Sequence, residues 1–168
     1  MLMSQLVIFL LKGISALPAA IGYRFGAMIG WVTFQMSPRR KNIALTNIQA
    51  CFPKLSEREQ RDLLKKVFIE NGVGLIESSW VWFERSSKLN FRVDKKSERV
   101  LLDAVARGSG VLLLCPHYTM LELSAVVINR LVGRFVITYR PQETQAFERV
   151  IYEGRSKFGD LINVRDLR

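Results

Sequence analysis

Only one histidine, His117, and two cysteines, Cys51 and Cys115, occur among the 168 residues. One imidazole leaves a catalytic zinc site to be completed by dispersed carboxylates, so neither a metal ion nor another cofactor is expected. The cysteines are far apart and outside any C-x-x-C spacing, which argues against a disulfide scaffold or zinc ribbon and leaves a reduced, cytosol-facing body as the default. Cys115 closes an apolar run and reads as a small buried residue. Internal repeats, zinc-finger spacings and RNP-like segments are missing too. A nucleic-acid partner is therefore not expected, although the net charge of +10 calls for anionic partners of some kind.

A clean spanning segment is also lacking. Residues 6–36 are apolar, but Lys12, Pro18 and Arg24 divide them, whereas a spanning helix shows about 18 or more consecutive residues with few charges. Three readings stay open: a spanning helix tilted or kinked at Pro18, amphipathic helices lying in the interface, or a buried helical hairpin with a solvated basic turn. A cleaved signal peptide is disfavoured because the positive charge, Arg39-Arg40-Lys41, comes after the apolar stretch instead of preceding it. By the positive-inside rule those residues hold that end, and the chain beyond it, on the cytoplasmic side.

The residues that are present suit a globular protein: 49% hydrophobic and 24% charged, in a chain long enough for one domain with a real core. Ser56-Glu57-Arg58-Glu59 has the form of a capping box, so a helix is expected from near Ser56. It continues through Leu63, Leu64, Val67 and Phe68, with interruption at Gly72 and Gly74, to about Glu84. Trp80, Trp82 and Phe83 read as core or membrane-edge aromatics.

Beyond these, short apolar runs alternate with helical patterns. Helices are expected over Ser97–Arg107, Thr119–Leu131 (stopped near Gly133) and Thr144–Phe158. Val111–Cys115 reads as a buried strand and Phe135–Tyr139 as another, with a further apolar run at Leu161–Val164. The alternation predicts an α/β fold with a mainly parallel sheet and flanking helices. In such folds the ligand site lies at the carboxyl ends of the strands.

His117 sits at such an end, after Val111-Leu112-Leu113-Leu114-Cys115-Pro116. A lone histidine there is more often structural than catalytic, and its neighbours decide. Residues five apart in a helix are about 140° from each other, so His117 and Glu122 cannot share one helical face. With His117 in the turn and Glu122 in the first turn of the next helix, the carboxylate can reach back, fix the tautomer and stabilise the imidazolium. No serine or cysteine nucleophile is clearly placed beside them. The dyad therefore suits general-base activation of an external hydroxyl, as in acyl transfer to an alcohol.

The stretch Cys115-Pro116-His117-Tyr118-Thr119-Met120-Leu121-Glu122-Leu123 resembles the H-x4-[D/E] motif of glycerolipid acyltransferases. The glutamate between leucines is similar to the lipid A lauroyl/myristoyl acyltransferase branch; the lysophosphatidate acyltransferases carry aspartate. Two further segments share the likeness. Ser37-Pro38-Arg39-Arg40-Lys41-Asn42-Ile43-Ala44-Leu45-Thr46-Asn47-Ile48, with Cys51-Phe52-Pro53 just after it, resembles the lead-in from anchor to catalytic domain. Tyr139-Arg140-Pro141 and Arg155-Ser156-Lys157-Phe158-Gly159 resemble the Y-R-P strand end and the basic segment before the next strand.

The resemblance implies transfer of a fatty acyl chain from acyl carrier protein to a hydroxyl of a lipid A precursor, at the cytoplasmic face of the bacterial inner membrane. His117 and Glu122 would be catalytic and Arg155 the cation on the oxyanion or a phosphate contact, with Arg140 and Lys157 as further substrate-binding candidates. For each of the three cations the alternative is a solvated surface charge. Residues 1–38 would be a membrane-anchoring helical segment and 39–168 the first part of an acyltransferase domain, since family members are about twice this length. Two other readings are a lysophospholipid or glycolipid acyltransferase, and a truncated, non-catalytic membrane-associated protein that binds lipid or carrier protein.

Overall fold

The computed structural model describes residues 2–83, 85–88 and 92–163. It is mostly helical, with a small parallel sheet, and it divides into two compact units: Leu17–Ile76, and Met1–Ala16 with Glu77–Arg168.

The first unit holds helices α2 (Ala19–Met36) and α3 (Pro38–Cys51) and most of α4 (Glu57–Trp82). Proline punctuates it: Pro18 caps α2, where its ring disfavours helix in the residue before it, and Pro38 opens α3 in the position that needs no N–H. The capping box forms as expected. Ser56 donates its backbone N–H to Glu59 Oε2 at 2.8 Å, and the Glu59 N–H reaches back to Ser56 Oγ at 3.4 Å. Hydrogen bonds from Ser56 hold the Glu59 carboxyl below its ordinary range, the serine side chain contributing most and its backbone N–H next.

Helix α4 does not break at Gly72 and Gly74; it runs continuously to Trp82, and Glu84 lies outside the described residues. Gly72 serves a close crossing instead. Gly22, Gly26 and Gly30 form the buried stripe of α2. A Cβ at Gly26 would stand 2.8 Å from the Val73 Cα, and one at Gly72 would strike the backbone of Gly26 and Gly30. Beside this crossing, Ile48, Leu64 and Phe68 make the core with Phe34, Ala44, Leu45 and Leu63. The Phe34 and Phe68 rings meet edge to face, centroids 5.6 Å apart, and Lys41 in the first turn of α3 lies 4.9 Å from the Phe34 centroid.

The second unit holds α1 (Leu2–Ala16), the end of α4, a 3-10 turn at Ser86–Lys88, α5 (Lys95–Ala106), α6 (Leu121–Val132), β1 (Phe135–Tyr139), α7 (Gln145–Arg155) and β2 (Gly159–Asn163). Helix α5 starts two residues before Ser97 because Asp94 caps it, its carboxylate accepting from the Ser97 N–H at 2.9 Å. Helix α6 ends at Gly133, whose φ of +81° suits glycine. Helix α1 packs against α7, and Lys88 donates to the Ser15 carbonyl at 2.7 Å. Strands β1 and β2 are parallel, from Phe135 opposite Gly159 to Tyr139 opposite Asn163, joined through α7. Val164, the end of the anticipated apolar run, lies outside the described residues.

One expected strand does not form. Val111–Cys115 makes no ladder, and Leu112 and Leu114 are 98% and 96% exposed. Cys115 is likewise exposed, not the small core residue anticipated. The reason is that a strand is a property of a pair: apolar β-prone residues become one only where a neighbour supplies N–H and C=O groups. Among the described residues β1 pairs with β2 alone, so the sheet has two strands.

The spanning reading of residues 6–36 finds no support in either N-terminal helix: no described helix is long and apolar enough to cross a membrane. Fifteen residues of α1 reach about 22 Å against about 30 Å of hydrocarbon, and α2 carries Arg24.

Candidate active site

The site lies in the second unit. A cavity of about 1200 Å³ opens between the 111–117 segment, the first turns of α6, and β1 with the loop after it. Its floor is apolar, including Val111, Leu113, Leu121, Ala125, Ile128 and Phe135, and its polar side chains include His117, Glu122, Arg140 and Arg155. Four of the five anticipated site residues are thus brought to one cavity. Lys157 is the exception: its Nζ donates to the Trp82 carbonyl at 3.4 Å, away from the lining.

Glu122 occupies the first turn of α6, where a carboxylate meets free backbone N–H groups and the positive end of the helix dipole. It is only 7% exposed. Its partner is Arg155, at the last residue of α7: Nη2 donates to Oε1 at 2.6 Å, and Nε is shared between Oε1 at 3.2 Å and Oε2 at 3.1 Å. Gly154 lets α7 approach Trp82 closely: a Cβ there would stand 2.9 Å from the Trp82 ring. His117 stands in the turn before α6, exposed, and its imidazole bonds to none of the described residues. The carboxylate is therefore engaged by the guanidinium, while the imidazole shares its cavity.

Arg140 comes directly after β1 and lines the cavity wall, with no ion pair among the described residues. The loop that carries it is tied down by Glu148 in the first turn of α7. Tyr139 donates its hydroxyl to Glu148 Oε1 at 2.9 Å, and Gln142 donates its backbone N–H to Oε2 at 2.7 Å. Burial, then the bond to the Glu148 carboxylate, pushes the Tyr139 phenol up to about 12. Sequence reasoning missed both the Glu122–Arg155 pair and the Glu148 tie. The only signal available was a glutamate in each helix's first turn, and that is equally the mark of a dipole-favoured surface residue.

Among the described residues, no group of three or more histidine, cysteine, aspartate or glutamate side chains could hold a metal ion. The arrangement brings an imidazole, a guanidinium–carboxylate pair and a second guanidinium beside a large apolar space.

Residues 1–167 match the model of a family described as bacterial lipid A biosynthesis acyltransferase. The chain is 31% identical over 153 residues to the lipid A biosynthesis lauroyltransferase of Escherichia coli K12, covering 90% of this chain and 50% of that protein. It is 30% identical over 141 residues to the palmitoleoyltransferase of the same organism, covering 84% and 46%. A lipid A biosynthesis acyltransferase of Haemophilus influenzae is 28% identical over 160 residues, covering 94% and 50%. The chain spans about half the length of these relatives. No solved structure matches it significantly. The motif-bearing segments noted in the sequence all fall inside the matched residues, and the chain belongs to the bacterial lipid A biosynthesis acyltransferase family.

Proposed function

We propose that this chain carries the catalytic residues of an acyltransferase that moves a fatty acyl chain from acyl carrier protein to a hydroxyl of a lipid A precursor. The observation that carries the reading is the gathering of His117, Glu122, Arg140 and Arg155 around one largely apolar cavity of about 1200 Å³. A fatty chain needs such a space, and a hydroxyl nucleophile needs a base beside it.

In this mechanism the His117 imidazole takes the proton of the acceptor hydroxyl as its oxygen attacks the thioester carbonyl. The tetrahedral oxyanion is stabilised by Nη1 of the Arg155 guanidinium, which the contacts to Glu122 leave open, and the carrier thiolate leaves with the proton from the imidazolium. Glu122 orients the imidazole, and its hydrogen bonding leaves room for that: Oε2 accepts only the shared Nε contact at 3.1 Å, and a carboxylate oxygen has two lone-pair sites. The +10 charge favours encounter with an acidic carrier and a phosphorylated acceptor.

We read residues 1–38 as the membrane-associated segment and residues 39–168 as acyltransferase domain. Met3, Leu6, Phe9 and Leu10 of α1 and Met28, Trp31 and Met36 of α2 are exposed apolar side chains suited to an interface. The cytoplasmic face of the bacterial inner membrane is the matching location. The same exposed residues support a second reading, a non-catalytic membrane-associated protein that binds lipid or carrier protein.

The test is acyl transfer from acyl carrier protein to a lipid A precursor, using membranes that hold this chain or its His117→Ala variant. Transfer abolished by the substitution is expected. Transfer that survives it refutes the base assignment, and membrane binding without transfer in either protein selects the second reading.

A further inference from the structure

Two guanidinium groups line the cavity, in different electrostatic states. Arg155 is neutralised by Glu122, whereas Arg140 is paired with no described carboxylate. An anionic group entering the cavity therefore meets an available charge at Arg140. A guanidinium on a free loop would have to be ordered on binding, which erodes affinity.

Glu148 removes that cost. Its two oxygens accept from points three residues apart, the Tyr139 hydroxyl and the Gln142 N–H, and so close the turn that contains Arg140. Pro141 fixes one backbone dihedral inside the turn. The Tyr139 ring is itself held against Tyr152 of α7, centroids 6.4 Å apart.

We propose that Glu148 is a positioning residue which, through Tyr139 and Gln142, holds the 139–142 turn so that the Arg140 guanidinium is preset to receive a phosphate group of the acceptor. This rests on the preceding reading for the chemistry of the acceptor alone. The guanidinium fork matches a phosphate bidentately, which a lysine on a flexible stem does not do.

The test measures binding instead of turnover. A water-soluble phosphorylated glucosamine disaccharide and its dephosphorylated counterpart are titrated calorimetrically into the full 168-residue chain in detergent. Arg140→Ala should weaken the phosphorylated probe by about tenfold or more, the loss of a charge-assisted contact. Glu148→Gln, and Tyr139→Phe, which keeps the ring packing, should each weaken it by about three- to tenfold, while the dephosphorylated probe responds to none of them.

A purely structural glutamate would not produce that selectivity. A further readout is the Tyr139 phenol, whose ionisation should move from about 12 toward the ordinary tyrosine value in Glu148→Gln, burial keeping part of the shift. Unchanged probe binding in Arg140→Ala, or in Glu148→Gln with the phenol titration moved, overturns the proposal. So does a wild-type chain that binds both probes alike. His117→Ala should abolish transfer while keeping the difference in affinity between the two probes, so failure of the transfer chemistry and failure of the phosphate clamp are seen in different measurements.

Discussion

Replacing Arg155 by methionine removes the only cation paired with Glu122 among the described residues and leaves a carboxylate that is 7% exposed. Unit charges about 4 Å apart attract by about 4 kcal/mol at an effective dielectric of 20. Loss of one partner from a buried pair costs about 3–5 kcal/mol, because the survivor keeps its desolvation penalty. Here the guanidinium side chain is 17% exposed and the pair borders an open cavity, so water can reach the orphaned carboxylate. The expected loss is therefore about 2–3 kcal/mol, below the fully buried range. Against a typical total of about 5–15 kcal/mol that is readily measured.

The assay is urea unfolding in mild detergent monitored by tryptophan fluorescence, since Trp80 and Trp82 lie in the unit that holds the pair. Glu122→Gln added to Arg155→Met should recover about half or more of the loss, because the charge that suffers is then gone. A single variant within about 0.5 kcal/mol of wild type, or a double-mutant cycle with no coupling, would refute this account of the pair.

Three further outcomes concern the helices. Gly72→Ala should cost about 1–3 kcal/mol and lower the melting temperature, because its Cβ meets rigid backbone of Gly26 and Gly30. Gly13→Ala, with nothing within 4 Å, should leave stability unchanged or raise it by about 0.5–1 kcal/mol. The Glu59 carboxyl is held below its ordinary range in the folded chain, so the capping box stabilises above the unfolded carboxylate value and loses this as pH falls through the folded one. Thermal melts into that acid range should fall more steeply for wild type than for Glu59→Gln.

Much of the local structure was legible in the residues. The capping box, the stop at Gly133 and strand β1 over Phe135–Tyr139 arise from interactions within a few residues, and those are written in the local sequence. The placement of Glu122 in the first turn of a helix was readable for the same reason. Gly72 was misread as an interruption because a glycine inside a helix looks like a break until the helix it contacts is known.

Local residue chemistry thus determined approximately where α4, α5, α6 and α7 start and stop, which polar residues were worth watching, and the family the chain resembles. Only tertiary structure decided what those residues touch. It joined Glu122 to Arg155 across 33 positions, brought Glu148 under the Arg140 loop, and left Val111–Cys115 without a ladder. The physical reason is range: caps and helical periodicity are satisfied by neighbours along the chain, whereas an ion pair or a strand needs a partner from another segment, which no local pattern specifies.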